Sequence, residues 1–316
     1  MKDALKILLF FASAAAAEAV ALLMPDSPKQ LKAAHPYFAW LAAVFAGVYL
    51  LRVIVGFLKK EKLSAISYKA PFYTGVMIFL NLLNLFTAKL AALPTLYFPA
   101  LDRVFGTIIE DRAFILKCVS YSFRIWLSGV IGGMLAGFFM GVAMGFSKRV
   151  SYWLQPIIRI LGPIPSTAWI PILLISFPSA RSASAFIIGL SVWFPMVVMT
   201  SSGVLNVPKA YFEVSETLGS GALRNLFRVA VPTAMPSIFQ GMFNSTCGSF
   251  IALMTAEMIG AKYGIGWYVN WQKEMMAYAN VYAGLIVIAI LFYLIVTALF
   301  RIRDHILVWQ KGVIRW

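Results

Sequence analysis

Apolar residues run through this chain in long, nearly unbroken stretches, too long for strands and long enough for helices that cross a bilayer, about 20 residues each. Such runs lie at 5–24, 37–58, 72–93, 125–146, 157–177, 183–204, 238–259 and 281–300. They predict an all-α polytopic membrane protein with roughly eight spans. The first run is longer than the apolar core of an ordinary signal peptide and contains Glu18, so it reads as a retained span. The basic stretch KKEKLSAISYK at 59–69 is the clearest boundary. It separates a two-helix membrane extension, 1–70, from a core over 71–316.

Composition agrees with this pattern: 61% of the 316 residues are hydrophobic and only 12% charged, which excludes a water-soluble globular domain. The net charge of +15, from 27 Lys plus Arg against 12 Asp plus Glu, would suggest nucleic acid in a soluble chain. Here no basic cluster stands apart from the apolar runs, so no nucleic-acid partner is expected and the excess reads as topology. The short loop Ser147-Lys148-Arg149 is sharply basic, whereas its counterpart at 178–182 holds only Arg181. Both termini are therefore expected on the cytoplasmic side. Cys118 and Cys247 form no metal or disulfide pattern, His35 and His305 are isolated, and no GxxxxGK[ST] cradle for ATP occurs.

One polar segment breaks the rhythm. NVPKAYFEVSETLGSGALRNLFRVAVPTAMPS, at about 206–236, reads as two short amphipathic helices joined by a glycine turn. Asn206 and Ser220 are the expected caps, and Gly219 and Gly221 supply the reversal. Tyr211, Val214 and Leu218 share one face, with Glu213 and Glu216 on another. Behind the turn, Leu223, Leu226, Phe227 and Ala230 lie opposite Arg224 and Arg228, and Pro232 and Pro236 are expected to stop the second helix. Two readings remain open: a helix pair resting on lipid headgroups, or a docking element braced by acids before the turn and bases after it.

Here the residues carry a resemblance. Glu213-Val-Ser-Glu-Thr-Leu-Gly219, nine residues, then Val229-Ala-Val-Pro232 resembles the EAA motif of permease subunits of bacterial ABC importers, with Val214 and Ser215 in place of two alanines. GPIPSTAWIPILLISF at 162–177 and AEMIGAKYGIGWYV at 256–269 resemble stretches of the nitrate, sulfonate, taurine and bicarbonate branch. The resemblance runs from about residue 93 to the C-terminus. It implies a type I ABC importer transmembrane fold with a six-helix core, in a bacterial inner membrane. It further implies a homodimer of permeases, two cytoplasmic ABC ATPase subunits that bind ATP and Mg, and an extracytoplasmic substrate-binding protein. Tyr211, Glu213, Glu216, Gly219, Arg224, Arg228 and Pro232 would then form the coupling loop that enters the ATPase. The chain itself would be a transport subunit, with no catalytic residue, metal or cofactor of its own.

Other constellations lie within the spans. Gly129, Gly133, Gly137, Gly141 and Gly145 recur every fourth residue, a stripe that lets a helix of the same subunit or of a second copy approach closely. Pro163, Pro165 and Pro171, with Trp169 among them, should bend one span beside a wet path, or serve packing alone. Ser201, Asn244, Ser245, Ser249 and Glu257 are candidate path residues. Glu257 has two open readings: a path or gate group, or a structural group capping amides at 263–266 or pairing with Lys262. The rival function is a proton-coupled secondary transporter using Glu257.

Overall fold

The computed structural model describes residues 2–59 and 63–309. They form two compact units, residues 1–115 with 271–285, and residues 116–270 with 286–316. Part of the expected linker, residues 60–62, lies outside the described residues.

The first unit is built on helices α1 (Lys2–Leu23), α2 (Tyr37–Leu58), α3 (Leu63–Ser67) and α4 (Ala70–Asn84), with α5 (Leu101–Glu110) following. The segment 1–70 therefore packs together with the third expected span. Phe10, Ala14 and Ala17 are the buried face of α1. The alanines let neighbouring backbones come close, and Phe10 inserts among Phe45, Tyr49 and Tyr73 with ring centroids 4.7–6.3 Å apart. Helix ends here are closed by side chains from distant sequence. At the end of α4 a π-turn, Leu85–Lys89, carries Lys89, whose ammonium donates to the carbonyls of Ala21 and Met24 and pairs with Asp26 at 2.8 Å. Asp102 accepts the Phe38 amide at 2.7 Å at the start of α2. Burial pushes the Asp102 carboxyl above its ordinary range, and the Phe38 amide works against that.

The second unit contains most of α6 (Arg112–Phe146), then α7 (Lys148–Leu161), α8 (Ile170–Ser176), α9 (Ala180–Leu205), α10 (Lys209–Thr217), α11 (Ala222–Asn225), α12 (Val231–Gly260), and parts of α13 (Ile265–Glu274) and α14 (Tyr278–Ile306). The glycine stripe of α6 lies on α9. Gly129, Gly133, Gly137, Gly141 and Gly145 face Ile188, Val192, Met196, Thr200 and Val204 in turn. A Cβ on Gly137 would stand 2.6 Å from Met196. The stripe thus serves packing within the subunit, one of the two readings the sequence allowed.

This pairing fixes a direction. Both series rise together, so α6 and α9 are parallel, and the chain between them must return across the length of the stripe, about 24 Å for sixteen residues. Helices α7 and α8 make that return, bent by 81° at the intervening break. The expected span 157–177 is accordingly two pieces. Gly162 ends α7, Pro165 precedes a short 3-10 turn at Ser166–Trp169, and Pro171 sits in the first turn of α8, where a missing N–H costs little.

Antiparallel to α9, α12 packs along it: Ser245 donates to the Val192 carbonyl at 2.8 Å, Gly248 approaches Ser191, and Gly203 approaches Ser237. Against α12 in turn lies α14, through Phe250 on Phe292 and Phe243 on Phe300. Among the described residues six helices are long and apolar enough to cross a membrane, or seven if the bent α7–α8 pair is one span. By composition α12 falls short, because Gln240, Asn244 and Glu257 interrupt its apolar run together with several hydroxyl residues; of these, Ser245, Thr246, Ser249 and Glu257 are turned inward.

Candidate functional site

At the end of the second unit where α6 and α9 finish, the segment 206–230 forms a knob. Helix α10 starts at Pro208 and closes on Gly219, whose φ is +77°. The Ser220 amide returns to the Ser215 carbonyl at 3.1 Å and the Gly219 amide to Glu216 at 2.9 Å. That is a Schellman closure, and its left-handed residue is the reason for glycine there. The expected caps are corrected: Asn206 ends α9 and receives no helix amide of α10, and Gly221, not Ser220, precedes α11. Serine at 215, an alanine in the motif it resembles, donates to Asn225 Oδ1 at 2.6 Å and ties the two short helices together.

The expected bracing by acids and bases does not form. Among the described residues no ion pair joins Glu213 or Glu216 to Arg224 or Arg228, and all four side chains are exposed. Phe212 and Leu226 pack inward instead, against Val142, Val204, Ala230 and Ala234. Consequently the apolar faces are split differently from the simple helical pattern. Tyr211, Val214, Leu218, Leu223 and Phe227 all point outward, Leu218 and Leu223 being 78% and 74% exposed.

Neither Pro232 nor Pro236 stops the helix. From α11 the chain passes through a π-turn, Leu226–Ala230, directly into α12, with Pro232 in its first turn and Pro236 inside it. A widened turn leaves a backbone carbonyl unpaired, which is where a proline without an N–H can be accepted. The second helix of the knob and α12 are therefore one continuous element.

The break between α7 and α8 borders a cavity of about 500 Å³ reaching α9 and α12. Its walls include Pro165, Trp169, Phe186, Trp193 and Phe194, with the hydroxyl residues Ser166, Thr167 and Ser191. Of the expected path residues, Pro165 and Trp169 line it; Pro163, Pro171, Ser201, Asn244, Ser245, Ser249 and Glu257 do not. Ser245 is spent on the Val192 carbonyl, and Ser249 accepts the Trp126 indole N–H at 2.8 Å while donating to Thr246. Ser201 donates to Val198 one turn back, and Asn244 accepts from Gln240. Hydroxyls that bond to backbone carbonyls within the bundle satisfy themselves without a solute. Of the aromatic walls, Trp169 was among the expected path residues; Phe186, Trp193 and Phe194 escaped the sequence reading, although the adjacent Trp193 and Phe194 just before Pro195 were the available signal.

At the opposite end of the unit, Glu257 is completely buried. Its Oε2 accepts the Gly266 amide at 2.9 Å, and Ser122 of α6, beside it, accepts the Ile265 amide at 2.8 Å. A side chain on Gly264, whose φ is +136°, would overlap the carboxylate. Of the alternatives open at the sequence level, Glu257 thus occupies the amide-capping position. The pairing with Lys262 is absent among the described ion pairs. Cys118 and Cys247 are both free thiols.

The chain can be set beside known proteins. Residues 133–307 match the family described as binding-protein-dependent transport system inner membrane component. The taurine transport system permease protein of Escherichia coli is 30% identical over 190 residues, 60% of this chain and 69% of that protein. The bicarbonate transport system permease protein of Synechococcus elongatus is 27% identical over 235 residues, 74% of this chain and 80% of that protein. Among solved structures, the inward-facing MetNI methionine ABC transporter superposes with a TM-score of 0.53 at 18% identity, covering 62% of this chain and 98% of that one. That likeness speaks for the fold alone. With its multi-span helical fold and a match extending over more than half its length, this chain belongs to the inner-membrane permeases of binding-protein-dependent ABC importers.

Proposed function

We propose that the knob at 206–236 is the coupling loop through which two copies of this permease engage two cytoplasmic ATPases, which bind ATP and Mg. The observation that carries the reading is the outward row Tyr211, Val214, Leu218, Leu223 and Phe227 on a knob continuous with α12. Exposed apolar side chains rimmed by Glu213, Glu216, Arg224 and Arg228 suit a protein cleft better than anionic headgroups, which repel glutamates. Because no loop separates knob from α12, a displacement of the knob becomes a displacement of the helix that walls the cavity.

Substrate, handed over by a binding protein on the far face, would pass the cavity at the α7–α8 break during alternating access. Carbonyls freed by the break are tolerable in a membrane only beside protein or water, and this supports a wet path there. The solute would be a small one of the nitrate, sulfonate, taurine or bicarbonate kind, or a vitamin precursor. Lys148, Arg149, Lys209, Arg224, Arg228, Arg301 and Arg303 gather at the knob end, which favours the cytoplasm for that face. A proton-carrying role for Glu257 gains no support from a carboxylate buried on a helix-closing turn.

The test is reconstitution with the cognate ATPase and binding protein. Gly219→Pro should abolish ATPase association and transport while leaving membrane insertion intact. Transport at the normal rate by that variant would sink the coupling assignment.

A further inference from the structure

We propose that the unit formed by residues 1–115 and 271–285 holds a binding pocket for a small oxyanion: a carboxylate, a sulfonate or an inorganic oxyanion. The proposal is independent of what the chain imports. A cavity of about 300 Å³ lies in this unit, lined by Lys29, Gln30, Thr95, Arg103, Tyr278 and Asn280 among others. Among the described residues no acidic side chain lines it.

Three carboxylates of this unit have partners of their own outside the lining. Asp26 pairs with Lys89, Asp102 caps the Phe38 amide, and Glu110 accepts the Tyr37 hydroxyl at 3.1 Å. Arg103, although next to Asp102 in sequence, is half-buried on α5 and enters no ion pair or side-chain hydrogen bond among the described residues; nor does the exposed ammonium of Lys29. A partly desolvated guanidinium without a counter-charge is unfavourable, and its planar fork matches a two-oxygen acceptor.

The neutral groups add donors. Asn280 Oδ1 accepts the Thr107 hydroxyl at 3.3 Å, which leaves the Nδ2 hydrogens unspent on the same side chain. Thr95 contributes a hydroxyl. The walls are held in place before any ligand arrives. Gln30 Nε2 donates to the carbonyls of Thr87 and Phe98 at 3.0 Å each, and the ring of Tyr278 stands edge-on to Tyr97 at 5.0 Å. Two cations, spare donors and a preformed concavity at the small end of ligand-site volumes fit a compact anionic solute.

The purified full-length chain in lipid nanodiscs provides the test. Sodium acetate, methanesulfonate and sulfate are titrated against chloride at constant ionic strength, followed by calorimetry and by thermal unfolding. The expected result is saturable binding of at least one of the three, weakened tenfold or more by Arg103→Gln and by Lys29→Gln. Lys29 is exposed, so its variant tests the site even if Arg103→Gln fails to fold. Equal responses in wild type and the Lys29 variant, or no saturable binding of any of the three, overturn the proposal. If only a glutamate-rich peptide binds, in a Lys29-dependent manner, the small-solute assignment falls and the pocket becomes a protein docking site.

Discussion

Glu257 accepts the amide of Gly266 at 2.9 Å, reaching past the end of its own helix to hold the chain that turns back as α13. Gly264 lies between them with φ +136°, and the carboxylate occupies the space that a Cβ there would take. A carboxylate and two glycines nine residues downstream at most thus form one closure, with Ser122 of α6 holding the intervening Ile265 amide.

Two substitutions at this closure should part ways. Glu257→Ala orphans the buried Gly266 amide and should destabilise the protein by about 1–3 kcal/mol, read as a lower unfolding temperature in detergent. Glu257→Gln keeps an acceptor and should retain most of the stability and all pH-independent transport. Loss of transport with full stability in the glutamine variant would restore the proton-carrier reading.

The stripe on α6 predicts a face-dependent effect. Gly137→Ala places a methyl 2.6 Å from Met196 Cβ and should cost about 1–3 kcal/mol through overpacking. Gly132→Ala, on the same helix with nothing within 4 Å, should be neutral or slightly stabilising. Thermal unfolding of the two variants side by side measures the difference.

In the knob, Gly219→Ala forces an L-residue into the left-handed region, an unfavourable change of about 1–2 kcal/mol confined to the end of α10. Leu218→Asp and Leu223→Asp alter largely exposed side chains, so folding should be unchanged. Both should nevertheless reduce capture of the ATPase at least tenfold in a pull-down from co-expressed subunits.

Sidedness has its own check. Cysteine placed at Lys148 or Arg301 should react with a membrane-impermeant thiol reagent only from the cytoplasmic face, and cysteine at Lys262 only from the other. A background lacking Cys118 and Cys247 keeps the readout clean. The opposite labelling pattern would invert the proposed orientation.

The cavity predicts an effect on transport separate from folding. Trp169→Ala removes an aromatic wall from a space of about 500 Å³ and should change KM or substrate selectivity in reconstituted vesicles while leaving the yield of folded protein close to wild type.

Much of this protein was legible from its sequence because lipid leaves the chain few choices. Every backbone group must be paired within the slab, so long apolar runs become helices almost wherever they occur. Thus 37–58 coincides with α2, and positive φ at Gly219 follows from the reversal the knob must make. Motif spacing also identified the family. Partners across space were not legible. Whether the glycine stripe met α9 or a second copy, and whether Glu257 faced a solute or a turn, depended on which helices lie side by side. Periodicity along one helix describes a face, not what covers it. The sequence likewise suggested that charges brace the knob and that prolines end its second helix. In the fold, Ser215 with Asn225 and a π-turn perform those tasks differently, because short-range hydrogen bonds and one widened turn satisfy the backbone while leaving the charges in water. Composition and local spacing determined which segments are helical and where they turn; only tertiary packing decided which polar groups are already spent and which remain free to act.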